Sequence, residues 1–61
     1  MNAIERVKEL INELGCAVEV LRWDEDLKKY VGIEPCEIEE DEIVEDEIID
    51  GFWATVMVAQ P

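Results

Sequence analysis

The sequence predicts an α+β domain: an N-terminal helix packed on a small antiparallel sheet of about three strands, in the order helix, strand, short helix, strand, strand. Three observations carry this. Apolar residues recur at helical spacing over the first fourteen positions, later runs are short and rich in β-branched and aromatic residues, and an Asp-Gly dipeptide separates the last two runs. At 61 residues the chain is one domain, burying only about 60% of the surface its unfolded form exposes. A net charge of −12 opposes compaction, but hydrophobic residues make up 49% of the chain and mean hydropathy is −0.07. A folded domain is expected.

Ile4, Val7, Leu10, Ile11 and Leu14 form one stripe at spacings of three and four. Asn2 supplies an N-cap, Glu5 three positions on completes a capping box, and Gly15 takes the left-handed terminating position. Ala17 to Trp23 reads as a strand covered on both faces, with Val18 and Val20 on one and Leu21 and Trp23 on the other. Asp24 as cap, Glu25 and Asp26 in a first turn, and Lys28 and Lys29 near the end suit a helix dipole, with Gly32 as the stop. They predict a short helix that turns Leu27, Tyr30 and Val31 inward. Pro35 ends any regular structure begun at Ile33.

Asp50-Gly51 is the dipeptide preferred in two-residue type I′ hairpins. That turn sets Ile49 opposite Phe52, Ile48 opposite Trp53, Asp46 opposite Thr55 and Val44 opposite Met57. The last strand then carries Phe52, Ala54, Val56 and Val58 on one face and Trp53, Thr55 and Met57 on the other, apolar on both sides as a central strand is. The incoming strand runs from about Ile43 to Ile49. A helix over Glu39 to Ile49 is the competing reading; irregular apolar spacing and like charges at i, i+4 weigh against it. Trp23 and Trp53 are expected in the core between sheet and helix, Trp53 partly exposed if its face lacks cover.

The absent residue types exclude most chemistry. There is no Ser and no His, and the only Thr is Thr55, so neither a hydrolase triad nor a Cys–His dyad is possible within the chain. Gly15, Gly32 and Gly51 are solitary and form no phosphate-cradling loop. An EF-hand loop started at Asp46 matches at Asp50 and Gly51 but places Ile48 and Met57 where ligands belong. No catalysis, cofactor or dedicated metal site is expected. Met1 to Leu14 lacks the apolar core of a signal peptide, and no run approaches the 18 or more residues a spanning helix needs. A cytoplasmic location follows, with Cys16 and Cys36 as free thiols rather than a disulfide, one or both of them packed.

Charge is the informative feature. Residues 1–30 hold five cations against seven acids, or −2, while residues 31–61 hold ten acids and no cation, or −10. The ten are Glu34, Glu37, Glu39, Glu40, Asp41, Glu42, Glu45, Asp46, Glu47 and Asp50; Asp24, Glu25 and Asp26 form a possible second patch. This sign excludes phosphate binding through Lys and Arg and repels anionic membranes, so neither nucleic acid nor membrane is a direct partner. A solvated face that keeps a small protein soluble is the plain reading, although a thin core gains nothing from ten mutually repelling carboxylates. Duplex DNA carries one charge per about 1.7 Å of axis. The 17 residues from Glu34 to Asp50, folded back as a hairpin, give one per about 3 Å, and as a helix one per about 2.6 Å. A groove lined with Lys and Arg would bind such a surface quickly and salt-sensitively.

In size, charge and the acidic run from Glu34 to Asp50, the chain resembles the small DNA-mimic inhibitors of phages and mobile elements, particularly anti-CRISPR proteins. The resemblance rests on no diagnostic motif, so no family residues transfer to individual positions. It implies a monomeric inhibitor in the bacterial host cytoplasm that occupies the DNA-binding or PAM-reading site of a CRISPR surveillance complex. The alternative from another class is an immunity protein or antitoxin that plugs a basic nuclease or other toxin. A generic acidic adaptor is a third reading.

Overall fold

The structure, a computed structural model, describes residues 2–15 and 17–60. The helix, α1 (Ala3–Leu14), starts as its sequence directs. Asn2 Oδ1 accepts from the backbone N–H of Ile4 at 2.8 Å and of Glu5 at 3.3 Å, which is the Asn2 half of the expected capping box. Gly15 closes the helix at φ 68°, its N–H donating to the Ile11 carbonyl. Ala3, Val7 and Leu10 are buried and Ile4 and Leu14 pack against them. Ile11 lies at the margin, 38% exposed, so the true stripe is centred one position towards Ala3.

Four strands follow rather than three: β1 (Val18–Asp24), β2 (Lys29–Ile33), β3 (Ile43–Asp50) and β4 (Trp53–Ala59). They form one sheet in the order β2-β1-β4-β3. The sheet is mixed, not antiparallel, because its two hairpins lie side by side through a parallel β1–β4 pairing that sets Val18 beside Ala54 and Arg22 beside Val58. The central position of β4 is the one its two apolar faces imply.

The expected second helix is absent, and β2 stands in its place. Asp24 Oδ1 does accept from Asp26 and Leu27 N–H, at 2.8 and 2.9 Å, the two bonds an N-cap would receive. Lys28 then adopts φ 55° and reverses the chain, so that Asp24 pairs with Lys29 and Val20 with Ile33. A helix of two turns here would carry the full cost of nucleation. A β-branched segment beside an existing strand gains a ladder instead.

The C-terminal hairpin forms with a different turn and register. Its two-residue loop is Gly51-Phe52, with Asp50 opposite Trp53, Ile49 opposite Ala54, Ile48 opposite Thr55 and Asp46 opposite Met57. Gly51 takes φ 63° while Phe52 keeps a negative φ, which is a type II′ turn; type I′ would have forced Asp50 into the left-handed region. An extra residue, Glu45, bulges from β3 between Val44 and Asp46 and turns Val44 to the helix side, opposite Val58.

α1 covers one face of the sheet, packing on Val20, Ala54, Val56 and Val58. The segment from Glu34 to Glu42 crosses from the end of β2 to the start of β3 on that same side, pressing Ile38 into the core. Pro35 opens a short 3-10 helix here (Pro35–Glu37) rather than merely ending structure. The Ala3 N–H donates to the Glu42 carbonyl at 3.0 Å, and Asn2 Nδ2 donates to the Glu40 carbonyl at 2.7 Å, so the crossover is tied to the start of α1.

Candidate functional site

The acidic run does not stay together as one solvated stripe. Glu42 is 0% exposed. Its Oε2 accepts from Arg22 Nε at 3.0 Å and its Oε1 from Arg22 Nη2 at 2.6 Å, while the Glu39 N–H adds a third bond at 2.8 Å. Arg22 Nη2 also donates to the Glu37 carbonyl, at 2.9 Å. The Arg22 bonds hold the Glu42 carboxyl below its ordinary range despite burial, and Glu42 in turn raises Arg22. Glu47 makes the second fork, with Arg6 Nε at 2.9 Å and Nη2 at 2.6 Å, and it too is lowered, by the Arg6 bond. Arg6 Nη1 also reaches Glu9 at 3.2 Å. Glu42 and Glu47 are therefore struts between crossover, sheet and helix, and they leave the set of carboxylates open to a partner.

The other eight acids are exposed, and among the described residues none forms an ion pair. Glu34, Glu37, Glu39, Glu40 and Asp41 lie along the crossover; Glu45 sits at the bulge; Asp46 and Asp50 lie on β3. Glu37 Oε1 accepts from the Glu34 N–H at 3.2 Å and Glu39 Oε2 from Gln60 Nε2 at 3.2 Å, which orders these side chains without neutralising them. Of the second patch, Asp24 is spent on its own loop, Asp26 is exposed, and Glu25 lies 3.5 Å from Lys28 in a well-hydrated pair. The described residues hold no group of three or more His, Cys, Asp or Glu placed to bind a metal, and no described helix is long and apolar enough to cross a membrane. Cys36 is a free thiol and is exposed rather than packed; Cys16 lies outside the described residues.

Among the described residues, no element covers the far face of the sheet. Strand parity places Leu21 and Trp23 of β1, Tyr30 of β2, Trp53 and Met57 of β4 and Ile48 of β3 on it together. Trp23 is 39% exposed, Trp53 50% and Ile48 57%; Phe52 projects from the adjoining turn at 88%. Trp23 does not pack in the core, contrary to the expectation, because one helix covers only one face; Trp53 is half exposed, as expected for a face without cover. The alternation in β1 was readable from the sequence. What it hid was that the Leu21–Trp23 side is left bare. Two apolar faces on both β1 and β4, set against a single long amphipathic helix, were the available signal.

At one end of this face β4 stops at Ala59 while β1 runs on to Asp24. A cleft of about 580 Å³ opens there, walled by Trp23 and Tyr30, with Glu25 and Glu45 at its rim and the Arg22–Glu42 pair at its floor. The two rings meet edge to face, with centroids 5.2 Å apart and planes at 74°. The Tyr30 hydroxyl titrates above its ordinary value, first through desolvation and then through the negative charge of Glu45. The molecule thus offers a bare sheet face on which Glu19, Asp46 and Asp50 stand among the apolar side chains, and uncompensated negative charge along the crossover. No family model, curated protein or solved structure matches the chain.

Proposed function

We propose that the chain is a monomeric inhibitor, not an enzyme, that occupies a basic nucleic-acid-binding surface of another protein by imitating a phosphate array. In its favoured form the target is a CRISPR surveillance complex in the bacterial cytoplasm, and the inhibitor blocks DNA or PAM recognition. One observation carries the reading: eight carboxylates between Glu34 and Asp50 are exposed and, among the described residues, none is paired with a cation. Solubility alone would not require so dense a set on so small a core. Binding of this kind is fast and weakens steeply with salt.

The test is charge reversal at Glu39, Glu40 and Asp41, three exposed side chains of the crossover that make no ion pair. The triple Lys variant is expected to keep its circular dichroism and to inhibit DNA binding by the target at least about tenfold less well, a loss of about 1.4 kcal/mol. A folded variant that inhibits like the parent would refute mimicry at this site. The bare face with its two Trp residues favours a second reading, an immunity protein or antitoxin seated on a toxin by apolar contact. Pull-down from bacterial lysate separates the two: duplex DNA should displace the target of a mimic and leave in place a toxin held by that face.

A further inference from the structure

We propose that the cleft between Trp23 and Tyr30 is an anchor site for a cationic side chain, an arginine or lysine, presented by the basic protein partner. The identity of that partner rests on the function proposed above; the site itself stands on local geometry. Two aromatic rings at 74° form a corner, and a guanidinium or ammonium lying against either ring is attracted by its π-face. The rim adds two carboxylates. Glu45, at the bulge, has no cation partner among the described residues, and Glu25 lines the cleft from the β1–β2 loop, with only the exposed Lys28 at 3.5 Å. The one cation lining the cleft, Arg22, is held by both oxygens of Glu42, so the floor is close to neutral and the cleft as a whole is negative.

A second copy of this chain is the wrong occupant. Each copy carries −12, so two copies repel. Its arginines are engaged, Arg6 by Glu47 and Arg22 by Glu42, and only the isolated surface lysines Lys8 and Lys29 remain, with no basic patch around an apolar one. A protein with lysines or arginines around an apolar patch is complementary in both respects. Its basic side chain enters the cleft while its apolar residues meet Leu21, Met57 and Ile48 on the adjoining face. The acids of the crossover then steer approach, and the cleft fixes orientation.

The experiment uses the intact chain and a small probe. N-acetyl-arginine methylamide is titrated while the indole N–H signals of Trp23 and Trp53 are followed by NMR, with the citrulline analogue as the uncharged isostere. Trp53 lies at the opposite end of the same face, in a recess with Glu19, Glu34 and Glu37 but no second ring, and so reports the binding that one indole and nearby acids give by themselves. The Trp23 signal is expected to shift saturably with the arginine probe, with affinity at least about fivefold greater than for citrulline. Glu45→Gln should weaken that binding by about the same factor while its melting temperature stays near that of the parent. Equal shifts at both indoles, equal binding of both probes, or a folded Glu45→Gln chain that binds the arginine probe like the parent would each overturn the site. Reversal at Glu40 and Asp41 alone, whose side chains neither line the cleft nor bond to a described residue that does, leaves this titration intact. Failure here and failure of the mimic reading are therefore separable.

Discussion

Glu42 shows how one position can escape a run of like residues. Beside Glu39, Glu40 and Asp41 nothing local marks it for burial. Its partner Arg22 lies 20 positions earlier, on a strand whose parity turns it towards the crossover. Only the assembled fold brings the two together, so the sequence made Glu42 look like one more exposed acid. Replacing it by Ala would strand Arg22, 30% exposed, without its bidentate partner. Because some water reaches Arg22, the cost is expected near the low end for a broken buried pair, about 2–3 kcal/mol by urea unfolding. Glu40→Ala on the exposed crossover should stay within about 0.5 kcal/mol of the parent. The pair also sets a pH dependence. Glu42 is held below its ordinary 4.5, so its contribution is complete above that value and is lost as pH falls through the lower folded one. The stability gap between parent and Glu42→Gln should therefore be constant at neutral pH and narrow below about pH 4.5. A gap as wide at about pH 3 as at neutral pH would place its origin elsewhere.

Among the elements, α1 was legible end to end because its cap, stripe and terminator are all local signals. β2 was not: Asp24 makes the same two bonds in a hairpin loop as at a helix start, and what decides between them is the edge of β1, which no local signal describes. The last hairpin was legible as a hairpin and misplaced in register, since Asp-Gly and Gly-Phe are both acceptable turns and the choice fell to the glycine's place in the loop. The glycines offer the sharpest contrast at this scale. Gly51 sits at φ 63°, where a Cβ is strained, so Gly51→Ala is expected to cost about 1–2 kcal/mol. Gly32, inside β2, has ordinary backbone angles and open space where a Cβ would point. Gly32→Thr should gain up to about 1 kcal/mol from strand preference. Thermal melts of the two variants against the parent check both signs, with about 4–8 °C expected per kcal/mol.

For the molecule as a whole, the charge was readable from composition, and the division of the ten-acid run between two arginine-paired struts and eight exposed acids was not. Free carboxylates repel across a body only 32 × 20 × 17 Å, well within reach of one another at low ionic strength. Raising sodium chloride from about 0.02 to 0.5 M should lift the melting temperature by about 5 °C or more. Arg6–Glu47 and Arg22–Glu42 are partly shielded from solvent and lose less to screening than the exposed acids gain. A flat or falling trend would mean that the repulsion is already offset internally. The bare face was missed for a related reason: how many faces are covered is a property of the assembled layers, and no single strand reports it.

The parallel contact between β1 and β4 bears on how the chain matures. Ala54, Val56 and Val58 reach the core from the final strand, and their neighbours Val18 and Val20 were made some 36 residues earlier. A nascent chain that ends before Trp53 has a helix and a hairpin but no middle to its sheet. Cooperative collapse must therefore wait until β4 has been made, and the loop closed at that moment is long for so small a domain, which favours slow, all-or-none folding.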